Sequence, residues 1–108
     1  MEEKLINCLE ALGISVYNLQ RPEEERECIV YNYSEDTFST SDNIEDITKY
    51  VIYLNLYCDT GLNNWKKKIK KALESNGFSK MYIPPANFKD EAGLINQAFN
   101  YTYLELNP

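Results

Sequence analysis

Apolar positions along the chain change period several times, and each change marks an element. Leu5, Cys8, Leu9 and Leu12 recur at helical spacing, which predicts an amphipathic helix over 2–12 closed by Gly13. Ile14 to Leu19 reads as a short strand stopped by Arg21-Pro22. Cys28 to Tyr33 is apolar on both faces and predicts an interior or interface strand. Residues 34–46 are polar and acidic and predict a long loop, with Phe38 and Ile44 as its apolar anchors. Ile47 to Cys58 alternates with period two: Tyr50, Ile52, Leu54, Leu56 and Cys58 face a core, and Val51, Tyr53 and Tyr57 face the other way. Leu62, Trp65, Ile69, Ala72 and Leu73 return to helical spacing, with Thr60 or a polar neighbour as cap and Asn76-Gly77 as stop. Phe78 to Ile83 is a strand halted by Pro84-Pro85, residues 86–93 a second polar loop, and Leu94 to Leu106 a long last strand.

The predicted order is therefore α-β-β-β-α-β-β in a single α+β domain spanning residues 1–108. Consecutive strands joined by turns imply a mainly antiparallel sheet of about five strands, with both helices packed on one face. The opposite face is left to water or to another chain.

Composition changes this picture in three respects. Nine of the aromatic residues are Tyr, which suits half-buried sheet faces and protein interfaces as well as a β-rich core. The formal net charge is −6, which disfavours general attraction to nucleic acid or anionic lipid. That charge is unevenly placed: residues 1–60 hold 4 basic and 13 acidic side chains, and residues 61–108 hold 7 and 4. A subunit with one acidic and one basic surface can pack head-to-tail with its own copies. A solvated basic helix beside acidic loops accounts for the same pattern.

Little in the chain points to catalysis. The absence of His removes the commonest general base and the His-paired nucleophiles. The carboxylates crowd into polar segments around Glu23, Glu24 and Glu25, Glu35-Asp36 and Asp42–Asp46, where solvation keeps them ordinary. The last of these lacks the Gly and the ligand spacing of an EF-hand. Four scattered glycines build no phosphate loop, so no cofactor or metal is expected. Cys8, Cys28 and Cys58 are odd in number and unpaired in spacing, which fits buried thiols in a reduced compartment. No run is long enough to span a membrane, and the N-terminus lacks the pattern of a signal peptide. Lys66 to Lys71 is the sharpest charge feature; it reads as the wet side of an amphipathic helix, or as a basic face for an acidic partner.

Gly13-Ile14-x-Val16-Tyr17-x-Leu19-Gln20 leads into Tyr31-Asn32-Tyr33-Ser34; Asp42-Asn43, the strand around Thr48–Tyr57 and the Lys-rich helix follow. That helix ends in Asn76-Gly77-Phe78, Ile83-Pro84-Pro85 comes next, and a closing strand carries Ala98-Phe99-Asn100-Tyr101. Over nearly its whole length this layout resembles the tail-terminator (tail-completion) proteins of phages and prophages of Gram-positive bacteria, themselves similar to the lambda-type terminators. The resemblance implies a homohexameric ring that caps the tail tube, stops its growth and offers a docking surface to head-completion proteins. It implies a virion location after assembly in the host cytoplasm, with DNA passing through the ring unbound. It carries over no catalytic residue. From the residues themselves, the expected subunit contacts are Glu23, Glu24, Glu25, Phe38, Ile44, Tyr53, Tyr57, Lys67 and Lys70. The readings that compete with a terminator are another head–tail connector or neck protein, a small enzyme or regulatory domain, and a nucleic-acid binder using the lysine face.

Overall fold

The computed structural model describes residues 1–39, 46–89 and 92–107. Helix α1 spans Glu2–Glu10, with Leu5 and Leu9 buried one turn apart and Glu2 and Glu3 at the end where the helix dipole favours negative charge. It stops two residues earlier than expected, and Gly13 (φ 83) closes the turn by donating to the Glu10 carbonyl. Helix α2 spans Leu62–Ser75 and buries Ile69 and Leu73. Its N-cap is Gly61, with no side-chain cap hydrogen bond, so the expected Thr60 cap is not made. Gly77 (φ 88) turns the chain after α2 in the left-handed region that side-chain-bearing residues rarely adopt.

Six strands form one sheet: β1 (Ser15–Asn18), β2 (Cys28–Ser39), β3 (Asp46–Cys58), β4 (Ser79–Tyr82), β5 (Asn87–Lys89) and β6 (Leu94–Asn107). The order across the sheet is β1-β2-β3-β6-β4, with β5 also on β6. The architecture is thus the expected α+β one, with both helices over the same face. That face presents Ile29 and Tyr31 of β2, Ile52, Leu54 and Leu56 of β3, and Phe99 and Tyr101 of β6 to Leu5, Leu9, Ile69 and Leu73. Covering fully apolar side chains of this size contributes about 1.5–3 kcal/mol each, which makes this layer the main source of stability.

Three details depart from the sequence expectation. First, β1 runs parallel to β2, so the chain between them must return along the sheet before β2 starts. Second, residues 34–39 are strand: β2 and β3 pair in register from Cys28↔Tyr57 to Ser39↔Asp46. Alternating partners on β3 outweigh the polar, turn-like character of Ser34-Glu35-Asp36. The molecule is drawn out to 53 Å by this three-stranded arm, against 24 and 22 Å in the other directions. Third, β5 lies inside the expected loop 86–93. β4 and β5 occupy successive stretches of the same β6 edge, interrupted at Pro84-Pro85, where no ladder N–H exists. The buried Gln97 side chain fills the break, donating to the Pro84 carbonyl at 2.7 Å and the Ala98 carbonyl at 2.8 Å; its own oxygen has no partner.

Candidate assembly surfaces

The sheet face away from the helices divides into a covered end and an open end. Ser15 and Tyr17 of β1, Cys28 and Val30 of β2, Tyr57 of β3 and Leu94 and Asn96 of β6 share the covered end. The connection from β1 to β2 folds across it. Arg21 organises that connection, donating to the carbonyls of Pro22, Glu23 and Glu25, while its guanidinium lies 5.5 Å from the centre of the Tyr57 ring. Tyr17 donates to Glu25 at 2.9 Å. Cys28, Val30 and Leu94 are consequently buried although they lie outside the main core. Burial pushes the Cys28 thiol up to about 11, so it stays a protonated packing group. Part of the face expected to meet water or a partner is therefore closed by the chain itself.

Arg26 pins the end of this connection. It donates to Asp59 at 2.6–3.2 Å and to the carbonyls of Ala92 and Gly93 at 3.1 Å. Hydrogen bonding from the guanidinium holds the Asp59 carboxyl below its usual range.

The open end is the arm. Its outer face carries Tyr53, Val51 and Ile47 of β3 beside Leu104 and Leu106 of β6, with Asp36 and Lys49 opposite each other in register. Leu104 and Leu106 are 63% and 66% exposed. On the helix side the arm is anchored by a tyrosine layer. Tyr31 and Tyr33 both donate to Glu2, Tyr33 packs edge-on against Tyr50, and Lys4 donates to Tyr103.

The residues expected at subunit contacts fall into separate groups. Glu23 and Glu24 are exposed on the β1–β2 connection, and Glu25 is half-buried against Tyr17. Tyr53 is exposed on the open end of the outer face, while Tyr57 lies half-buried under Arg21. Phe38 takes a register position opposite Ile47 near the end of β2, within a strand and not a loop. Ile44, like the Asp42-Asn43 segment, lies outside the described residues. Lys67 and Lys70 sit on α2, over the opposite face from Tyr53, and Lys67 is exposed. The neighbouring Trp65 is half-buried, donating to Glu27 and stacking under Lys68, as an amphipathic helix face requires. Sequence reasoning missed Leu104 and Leu106, and with them the exposed Met81, Tyr82 and Phe88 of the β4–β5 edge. Apolar residues on the alternate positions of β6 past Tyr103 were the available signal.

An open groove of about 820 Å³ lies between α1, α2 and the end of β6, lined by Lys4, Cys8, Ala72, Asn76, Tyr103 and Glu105 among others. Its Cys8 thiol donates to the Leu5 carbonyl at 3.3 Å, and burial raises it above the ordinary thiol range, which keeps it protonated.

No protein-family model matches the chain. No curated protein sequence matches it. Among solved structures the chain is similar to one from the virion of a native gene transfer agent particle. The TM-score is 0.53 and the identity 12%, over 93% of this chain and 84% of that one. The likeness shows a shared fold. Among the described residues, no helix is long and apolar enough to cross a membrane.

Proposed function

We propose that this chain is a structural subunit of a phage or phage-tail-like particle, and within that class a tail terminator. In this reading copies assemble into a ring, expected to be a hexamer, that caps the tail tube, ends its growth and receives the head-completion proteins. The observation that carries the proposal is the fold shared over 93% of the chain with a protein of a gene transfer agent virion. The surfaces support it. The arm exposes apolar side chains that a solitary chain gains nothing from exposing, and the sheet separates acidic from basic segments. The acidic Glu23, Glu24, Glu35 and Asp36 would repel DNA if they faced a channel.

The test is electron microscopy of the purified protein, alone and mixed with tail tubes from the same particle. Rings seated at one tube end, with tube elongation arrested, are expected. Tubes that stay bare and keep growing in saturating protein would sink the terminator role. Attachment only to heads or to a completed neck would favour the second reading, a head–tail connector of the same particle.

A further inference from the structure

The sheet has two unpaired edges that differ in charge. On one side β1 pairs with β2 only from Cys28 to Tyr31. β2 continues to Ser39, so the edge from Asn32 onward has no strand beside it among the described residues. On the other side β4 pairs with β6 and nothing described covers its far edge. An open edge is a template for another strand, and natural proteins blunt it with Pro, Lys or a bulge. From Asn32 to Ser39 there is no Pro, no Lys and no register shift; the charged residues are Glu35 and Asp36. The segment from β4 through β5 has the reverse character: its charges are Lys80 and Lys89, its register shifts between Lys80 and Tyr82, Pro84-Pro85 follows, and Met81 and Tyr82 are each 57% exposed, features that discourage pairing with its own copy but leave an acidic edge as partner.

Register places the two edges at the same height. Asn32 faces Tyr53, Tyr53 faces Asn100, and Asn100 faces Tyr82. Ser34 connects in the same way through Val51 and Thr102 to Ser79. Direction also matches. β2 and β6 both run against β3, and β4 runs against β6, so β4 is antiparallel to β2. Copies related by rotation about an axis along the strands bring β4 of one beside the bare edge of β2 in the next, in antiparallel sense. Lys80 is then level with Tyr33, through Tyr101 and Ile52, and Glu35 lies two positions further along the same helix-side face, a diagonal neighbour of Lys80. Pairing β2 with a second β2 instead would set Glu35 and Asp36 against their own copies, which is unfavourable.

We propose that neighbouring copies join through a main-chain ladder between the bare edge of β2, beginning at Asn32, and strand β4 of the next copy, with Lys80 diagonal to Glu35 on the shared face. This rests on the proposed function in requiring a second copy of the chain. A contact between two different edges is heterologous, and repeated it closes a ring or extends a filament.

Glu35→Lys and Lys80→Glu, singly and together, test the contact by mass photometry at low salt. Both positions are exposed, and thermal melts confirm that each variant folds. Each single reversal is expected to weaken association by about tenfold, and the double variant to recover most of it. A second readout uses Ser34→Cys mixed with Ser79→Cys, which stand level on the outer face and on oxidation should give disulfide-linked dimers that neither variant forms alone. Rings that assemble normally in both single variants, without that cross-link, overturn this interface and leave the proposed function standing. A wild-type chain that stays monomeric both alone and on tail tubes overturns the two together.

Discussion

Tyr101→Phe isolates one hydrogen bond at the centre of the core. The Tyr101 ring is fully enclosed, and its hydroxyl donates to a Glu74 carboxylate oxygen at 3.0 Å. Phenylalanine keeps the ring and its packing, so no cavity opens. What is lost is one bond to a charged acceptor, about 1.5–3 kcal/mol. Glu74 is exposed and regains water, which places the loss near the low end, about 1.5 kcal/mol. For a chain of this size that lowers the melting temperature by about 6 °C.

The same substitution has a pH signature. Burial first, and then the bond to Glu74, raise the Tyr101 hydroxyl above its ordinary 10.0. Below that value folded and unfolded chains are both protonated and the contribution is whole. As pH rises through 10.0 the unfolded chain releases its proton first, and the contribution declines until the folded value is passed. Tyr101→Phe has no such proton to lose. Urea titrations at neutral pH and above 10 should therefore show the gap between the two proteins narrowing in alkali. Tyr31, Tyr33 and Tyr50, whose hydroxyls are also raised, are present in both proteins and cancel. A gap that stays constant across pH would refute this account of Tyr101. So would a loss of about 3–5 kcal/mol, the range of a deleted aromatic, because it would mean the ring packing was not retained.

Leu104→Ser with Leu106→Ser should leave the melting temperature nearly unchanged, because both side chains are mostly exposed in the single chain. If a partner covers them, the pair contributes about 2–4 kcal/mol, and light scattering should show assembly shifted to at least about thirtyfold higher concentration; equal assembly would show that the arm's outer face stays in water. Gln97→Glu should destabilise more than Gln97→Leu at neutral pH, since a carboxylate would replace an enclosed amide. The introduced carboxyl would have a raised folded pKa, so chemical denaturation should show the Gln97→Glu deficit shrinking as pH falls through that value; a deficit that grows in acid contradicts the buried setting.

Period carried most of the fold into the sequence. The alternation from Tyr50 to Cys58 and the helical spacing of Ile69 and Leu73 specify which face is covered, and the structure buries Ile52, Leu54, Leu56, Cys58, Ile69 and Leu73 and half-buries Tyr50. The arm was not legible, because Ser34 to Thr37 is polar and its strand conformation comes from pairing with β3. The parallel β1 was hidden for a related reason: a nine-residue connection reads as a turn unless something shows where it crosses. Arg21 is what holds it across the sheet, through three carbonyls that no local pattern announces. The candidate assembly surfaces were legible as charge imbalance but not as places. Tyr57 alternates like an outward-facing residue and yet lies under Arg21, whereas Leu104 and Leu106 are apolar and yet stand exposed on the outer face.

The charge imbalance gains a direction from the topology. β3 and β6 are neighbours in the middle of the sheet, so the earlier part of the chain lies to one side and the later part to the other. Glu23, Glu24, Glu35 and Asp36 belong with β1 and β2, and Lys80 and Lys89 with β4 and β5. An asymmetry along the sequence thereby becomes an asymmetry across the sheet. Two copies meeting through the same edge would place like charges together, and two copies meeting through opposite edges would place unlike charges together. Only the second arrangement leaves an acidic edge free on one copy and a basic edge free on the other, and those free edges are what admit a third.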